Sequence, residues 1–176
     1  MKNDEIIVYT DGSSLGNPGR GGWASVLVMP EDKVRELGGR ENESTNNRME
    51  ITAAIEALKF IEERKVKAKR IKIHTDSLYL LNGITMWIYV WVKNNWRTKG
   101  KDPVLNKDLW EILFKVHSNL KMKYEIDWIK VEGHAGVDLN ERCDVIATNL
   151  AGEERMVLFT GDIKDYKKLF RFSNIT

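Results

Sequence analysis

The chain has 176 residues, of which 28 are lysine or arginine and 26 aspartate or glutamate, for a net charge of +2. That length suits one domain with its own core, and the charge balance selects no particular partner. Cys143 is the single cysteine, which excludes an intrachain disulfide and a cysteine-rich zinc site.

The opening MKNDEIIVYTDG carries early acids and a short apolar run, unlike a secretory leader. No stretch approaches the roughly 20 apolar residues that cross a bilayer, so the expected compartment is the cytoplasm. Residues 5–11, EIIVYTD, are β-rich and apolar on both faces, as a central strand is. GGWASVLVMP and KVRELGGR follow as two further strands separated by EDK, a meander. The period then changes. Ile51, Ala54, Ile55, Leu58 and Ile61 share one helical face, which predicts an amphipathic helix over 47–63. RIKIHTD, residues 70–76, alternates like a strand. Residues 77–120 read as mostly helical, broken at NNWRTKGKDPV by Gly100 and Pro103. YEIDWIKV, 124–131, is a fifth strand, and DLNERCDVIATNLA, 138–151, is a helix with Asp138 and Glu141 spaced as a capping box. The order predicts an α/β fold, a five-stranded mixed sheet with three antiparallel strands first, flanked by helices. Beyond Gly152, IKDYKKLFRF reads as a short helix docking Tyr166, Leu169, Phe170 and Phe172. No linker or repeat marks a second domain.

Several acids fall at the ends of these elements. Asp11 closes an apolar strand, where an unpaired carboxylate costs several kcal/mol or stays protonated. A metal ion would keep it ionised, and so would amides of the following GSS turn. Glu50 lies three residues after Asn47, so it either closes a capping box worth about 1 kcal/mol or joins a metal site. Asp76 reads as a helix N-cap or a ligand, and Asp144 as a dipole-stabilised surface acid or a ligand. Acids crowded together without cations repel. Hard oxygen donors suit magnesium or manganese rather than zinc. SLGNPGRGG lacks the lysine and hydroxyl residue of a P-loop, so it reads as a glycine-rich hairpin. His134 sits in the loop VEGHAG, while His74 and His117 have no motif around them and read as structural. Basic runs at ERKVKAKRIK and at Lys93, Arg97, Lys99 and Lys101 are solvated faces or contacts for phosphate.

Taken together and in order, YTDGSSLGNPGRGGWA, TNNRMEITAA, HTDSLYLLNGIT, NKDLW and VEGHAGVDLNERCDVIA resemble type 1 ribonuclease H, from about residue 5 to 151. The resemblance implies a ribonuclease H-like fold over 1–151, with 152–176 an extension of the same domain or docked on it. It implies an endonuclease that hydrolyses the RNA strand of an RNA–DNA hybrid with two Mg2+ ions, Mn2+ substituting, and leaves 3′-hydroxyl and 5′-phosphate ends. Asp11, Glu50, Asp76 and Asp144 match the family's metal-binding carboxylates, with Asp11 bridging both ions. His134 matches a histidine that assists proton movement or product release. Asn17, Asn46 and Asn47 match minor-groove contacts, where 2′-hydroxyls mark RNA. Thr45 and Asn106 match a pocket for a DNA-strand phosphate, Trp87 an aromatic of the DNA channel, and Lys93, Trp96 and Arg97 a basic protrusion. Trp91, four residues after Trp87, reads as core. Val92, Asn94 and Asn95 make this protrusion less basic than in well-known bacterial relatives, and Glu43 stands near the phosphate pocket where some relatives carry a base. No membrane and no obligate protein partner are expected, and the chain is expected to act as a monomer. Two other functions compete: a DNA-cutting resolvase or integrase of related fold, and a non-catalytic hybrid-binding module.

Overall fold

The computed structural model describes residues 4–132 and 136–172. β1 (Glu5–Gly16), β2 (Gly19–Met29) and β3 (Lys33–Ser44) form the expected antiparallel meander. β4 (Arg70–Thr75) lies parallel to β1, and β5 (Glu125–Lys130) parallel to β4. The predicted count of five strands is corrected to six among the described residues, because β6 (Thr160–Asp162) pairs antiparallel with the outer edge of β3. The sheet order is β5-β4-β1-β2-β3-β6. Thr-Gly-Asp carries no alternation and no run of branched residues, so nothing local announces a strand. Long-range pairing makes it one, helped by an ion pair from Lys33 to Asp162 at 2.6 Å.

β1 also runs farther than EIIVYTD. Pairing with β2 carries it through Gly12, Ser13, Ser14 and Leu15, whereas its pairing with β4 stops at Tyr9. Asp11 therefore does not end its strand. It lies where one neighbour has fallen away, and the gap this leaves is a crevice at the sheet's edge of parallel pairing.

Both faces of the sheet are covered. α1 (Asn46–Arg64), α2 (Leu78–Asn82), α3 (Ile88–Lys93) and α4 (Lys107–Lys121) lie over one, with a π-helical stretch at Gly83–Trp87 joining α2 to α3. Ile6, Val8, Leu27, Ile51, Leu58, Ile61 and Trp110 are buried there. α5 (Asp138–Ala151) and α6 (Ile163–Phe170) lie over the other face, where Val26, Cys143, Ile146 and Tyr166 are buried. Alternation along β1 sends Ile6 and Val8 to the first core and Ile7 and Tyr9 to the second, which is why the run is apolar on both faces. The tail docks through Tyr166, Phe170 and Phe172 as expected, but Leu169 is 63% exposed. Ile163, Tyr166 and Phe170 set the inward face of α6, and Leu169 projects about a quarter-turn away from it. No helix among the described residues is long and apolar enough to cross a membrane.

α5 rests directly on β2 at Gly22, where an added Cβ would lie 2.1 Å from the Ala147 carbonyl oxygen and 2.7 Å from the Ala151 nitrogen. Both are backbone atoms, so no side chain can swing aside. Gly22→Ala is expected to destabilise the fold by about 1–3 kcal/mol, the cost of overpacking, against the smaller entropic gain of losing a glycine. Urea unfolding checks this, and an unchanged midpoint would show that α5 is free to move off the sheet.

Candidate active site

Asp11 leaves β1 nearly buried, at 7% exposure, and its Oδ1 accepts the Gly12 N–H at 2.9 Å. Glu50 comes from the start of α1. The helix is capped by Thr45, in extended conformation, whose Oγ1 accepts the Arg48 N–H at 3.3 Å. The expected cap at Asn47 is thus wrong, and Glu50 lies too far along the helix to close a box with Thr45. Its carboxylate is instead 4% exposed, and Oε2 has no hydrogen-bond partner. Gly12 makes the approach possible, since a Cβ there would sit 2.3 Å from the Glu50 nitrogen.

Asp76 directly follows β4. Ser77, not Asp76, caps α2, its Oγ accepting the Leu80 N–H at 3.2 Å. Asp76 Oδ2 accepts from Asn140 Nδ2 at 3.2 Å, across 64 residues of sequence. Asp144 faces the same space from α5, where Thr148 Oγ1 donates to its Oδ1 at 3.4 Å. The capping box expected at Asp138 is displaced: Val137 occupies the cap position, and Glu141 Oε1 accepts the Gly136 N–H at 3.0 Å. Asp11, Glu50, Asp76 and Asp144 together line a cavity of about 240 Å³ with Ser13, Asn46, Asn140 and Glu141.

Asp11, Glu50 and Asp76 each offer an oxygen within 4.8 Å of the others. Burial first, then the charges of Asp76 and Asp144, push the Asp11 carboxyl up to about 7, against the pull of the Gly12 N–H. Burial, then Asp11 and Asp76, hold the Glu50 carboxyl well above the usual range. The contact between the two side chains lowers the Asp11 carboxyl a little and raises that of Glu50 further. An all-oxygen donor set with an orphaned buried Oε2 fits a hard divalent cation such as Mg2+ or Mn2+.

Residues 3–151 match the RNase H family model. Over 150 residues the chain is 49% identical to the ribonuclease H of Xanthomonas oryzae pathovar oryzae, covering 85% of this chain and 94% of that one. This chain belongs to the ribonuclease H family. The family's members are metal-dependent nucleases. The fold superposes on LC9-RNase H1, a type 1 RNase H with the type 2 active-site motif, with a TM-score of 0.76 at 26% identity, covering 95% of this chain and 82% of that one. It also resembles LC11-RNase H1, solved in complex with RNA/DNA hybrid, with a TM-score of 0.58 at 22% identity, covering 84% and 97%.

In this ribonuclease H, Asn17 is exposed in the β1–β2 turn, and Asn46 and Asn47 are exposed in the first turn of α1. Thr45 and Asn106 are brought together by Arg48, a residue the sequence reading missed. Its backbone N–H bonds Thr45, and its guanidinium reaches Asn106 Oδ1 at 3.4 Å and Asp108 at 2.7 and 3.0 Å. Asn140, also missed, stands one helical turn before Asp144, and that i, i+4 spacing was its available signal. Trp87 is 37% exposed beside Tyr79 and Trp91. Trp91 packs against the core as expected, and so, in part, does Trp96. Lys93 is exposed at the end of α3, whereas Arg97 donates to the Lys101 carbonyl at 2.7 Å. His134 lies outside the described residues. His74 stacks on Tyr9 at 4.4 Å, and buried His117 accepts from Trp128, both as structural groups.

Asp11 and Glu50 bind protons more tightly folded than unfolded. Between the ordinary carboxylate value near 4 and the Asp11 value of about 7, the folded state holds extra protons, so stability falls as pH rises through that window. At roughly 1.4 kcal/mol per pKa unit, the Asp11 share is at most about 4 kcal/mol. Without divalent cation the protein is expected to be markedly less stable at pH 8 than at pH 5, and Mg2+ is expected to narrow the difference. Denaturant titrations at both pH values, with and without Mg2+, check this. A difference that Mg2+ leaves unchanged would place its origin elsewhere in the protein.

Proposed function

We propose that this chain hydrolyses the RNA strand of RNA–DNA hybrids, with two Mg2+ ions held by Asp11, Glu50, Asp76 and Asp144, leaving 3′-hydroxyl and 5′-phosphate ends. The observation that carries this reading is the convergence of four carboxylates on one polar cavity, two of them buried, with Glu50 Oε2 lacking a protein partner. When bound, the ions supply an activated water and charge stabilisation for the phosphodiester; Mn2+ is expected to serve in their place. Asp11, near both Glu50 and Asp76, is suited to bridge the two ions. Asn140 holds the Asp76 carboxylate in place. His134 assists proton movement or product release.

Asn46 lines the cavity, and with Asn17 and Asn47 it is suited to read the 2′-hydroxyls of the RNA strand. Thr45 and Asn106, gathered by Arg48, offer donors to a DNA-strand phosphate. Trp87 offers a ring to the DNA strand, and Lys93 and Arg97 supply charge beside Trp96. Residues 1–151 act as the catalytic domain, with the extension that follows belonging to it through residues up to 172, in a monomer that needs no membrane or protein partner and works in the cytoplasm. The family match over residues 3–151 and the 49%-identical ribonuclease H relative support this substrate.

Asp11→Asn is expected to abolish cleavage of a labelled hybrid in Mg2+ while leaving hybrid binding largely intact. Glu50→Gln is expected to lose more than about a hundredfold, since even outer partners of metal ligands cost 10–100-fold. Because burial and the neighbouring acids disfavour an ionised carboxylate at this position, metal-free stability should hold or rise. Near-normal turnover in either variant would sink the metal assignment, and equal cleavage of duplex DNA would sink the substrate assignment.

Replacing Lys93, Arg97, Lys99 and Lys101 with alanine should flatten the dependence of log affinity on log salt, by roughly 0.7–0.9 for each side chain that neutralises a phosphate. Turnover at saturating hybrid should change little. A salt series on both proteins decides it, and identical slopes would show that the hybrid is held elsewhere.

A further inference from the structure

The segment after Gly152 lies beyond the family match, which ends at residue 151, yet it is bonded into the sheet and into α5. Its anchor is Glu36 on β3, fully buried. Glu36 Oε1 accepts from Arg142 Nε at 2.7 Å and from the Tyr166 hydroxyl at 2.8 Å, while Oε2 accepts from Arg142 Nη2 at 3.1 Å and the Phe159 N–H at 2.8 Å. Two of these four donors belong to the C-terminal segment. That segment also lays the Phe170 ring over the Arg142 guanidinium, 4.1 Å from the ring centroid. Arg142 is thus held on three sides: by Glu36, by Phe170 and by its own helix.

Resting on the functional reading above, we propose that residues 152–172 are a positioning element of the metal site, acting through Arg142 to fix the rotation of α5 and with it Asp144. At 100° per residue, Asn140 and Asp144 share one face of α5, and Arg142 lies on nearly the opposite face. The clamp on Arg142 and the carboxylate of Asp144 are therefore two ends of one lever through the helix axis. A side chain about 5 Å from that axis moves roughly 1 Å when the helix turns 10°. Metal–ligand distances tolerate only about 0.2 Å, and Mg2+ in particular demands near-ideal octahedral geometry. A rotation too small to unfold the helix is enough to spoil the site. The same turn would draw Asn140 from Asp76, so two of the four carboxylates feel it. Buried contacts of Cys143, Ile146 and Ala147 hold α5 on the sheet. The fork of Arg142 on Glu36 adds what apolar contacts lack, a fixed angle about the axis.

The test uses the full-length chain. Arg142→Lys keeps the charge and loses the fork, Tyr166→Phe removes one hydroxyl, and Leu169→Ala alters an exposed residue of α6 as a control. Mn2+ binding without substrate is measured by calorimetry, and Mg2+ dependence of hybrid cleavage is measured beside it, well below each unfolding midpoint. Arg142→Lys is expected to weaken Mn2+ binding about 10–100-fold, as outer partners of metal ligands do. Tyr166→Phe should weaken it less, Leu169→Ala not at all, and KM for hybrid should stay constant in all three. Wild-type Mn2+ affinity in a folded Tyr166→Phe or Arg142→Lys protein with a lowered unfolding midpoint would overturn the proposal and leave the segment a stabiliser only. If Arg142→Lys does not fold, Tyr166→Phe alone decides. A wild-type protein that neither binds Mn2+ nor cuts hybrid would overturn the functional reading itself, and this inference with it.

Discussion

Mutual repulsion among carboxylates in a nearly dry crevice is the constraint that the rest of this structure has to meet. Water would screen the charges, but Asp11 and Glu50 are almost shielded from it. Burial and the neighbouring acids accordingly raise the proton affinity of both. Such a cluster survives only on a scaffold that cannot relax away from it. Here Asp11 sits on a central strand paired with β2 beyond the end of its β4 pairing, and Glu50 sits on a helix pressed against that strand through Gly12. Asp144 rides on a helix with no room to spare above Gly22. Close backbone approach at two glycines, rather than any long-range charge, sets how near the acids must be.

That arrangement also explains what was legible beforehand. Long periodic segments declared themselves: α1 runs one residue past each predicted end, and β4 stops one residue short. Local chemistry was the weaker guide. Each acid had a plausible local role, and the structure removes the two that were caps by giving the cap to another residue, Thr45 for α1 and Ser77 for α2. Where Thr45, Asn46 and Asn47 follow one another, all three can cap. The winner is the one still extended as the chain leaves β3, and that is a property of the sheet. The full carboxylate set became readable from sequence only through the family resemblance, because β1–β4 pairing brings Asp11 and Asp76 together and packing of α5 on the sheet brings in Asp144, and no local window contains either. β6 was invisible for the same reason.

The aromatic residues sort along a similar line. Trp91 and Trp110 stack with tilted rings 5.5 Å apart and are set into the core with Trp96 beside them, while Trp87 keeps part of its ring in solvent. Spacing along a helix cannot separate these cases, since Trp87 and Trp91 share a face. What separates them is Gly83, where a Cβ would lie 2.1 Å from the Trp110 ring. The missing side chain lets the π-helical stretch settle onto Trp110, and that stretch ends on Trp87, whose ring stays partly in solvent beside Tyr79.

The two faces of the sheet accordingly do different jobs for the same cavity. On the α1 side, a large apolar core holds Glu50 through a helix that packs along its whole length. On the α5 side the core is smaller, and a buried ion pair supplements it. A buried pair is weak evidence for stability, because apolar residues of similar size often serve as well. What it adds is direction. An apolar helix face tolerates small rotations, whereas an arginine fork seated on a carboxylate with two further donors has one favourable orientation. Placing that fork on the helix with the smaller core, two residues from Asp144, puts angular precision where packing alone supplies least of it.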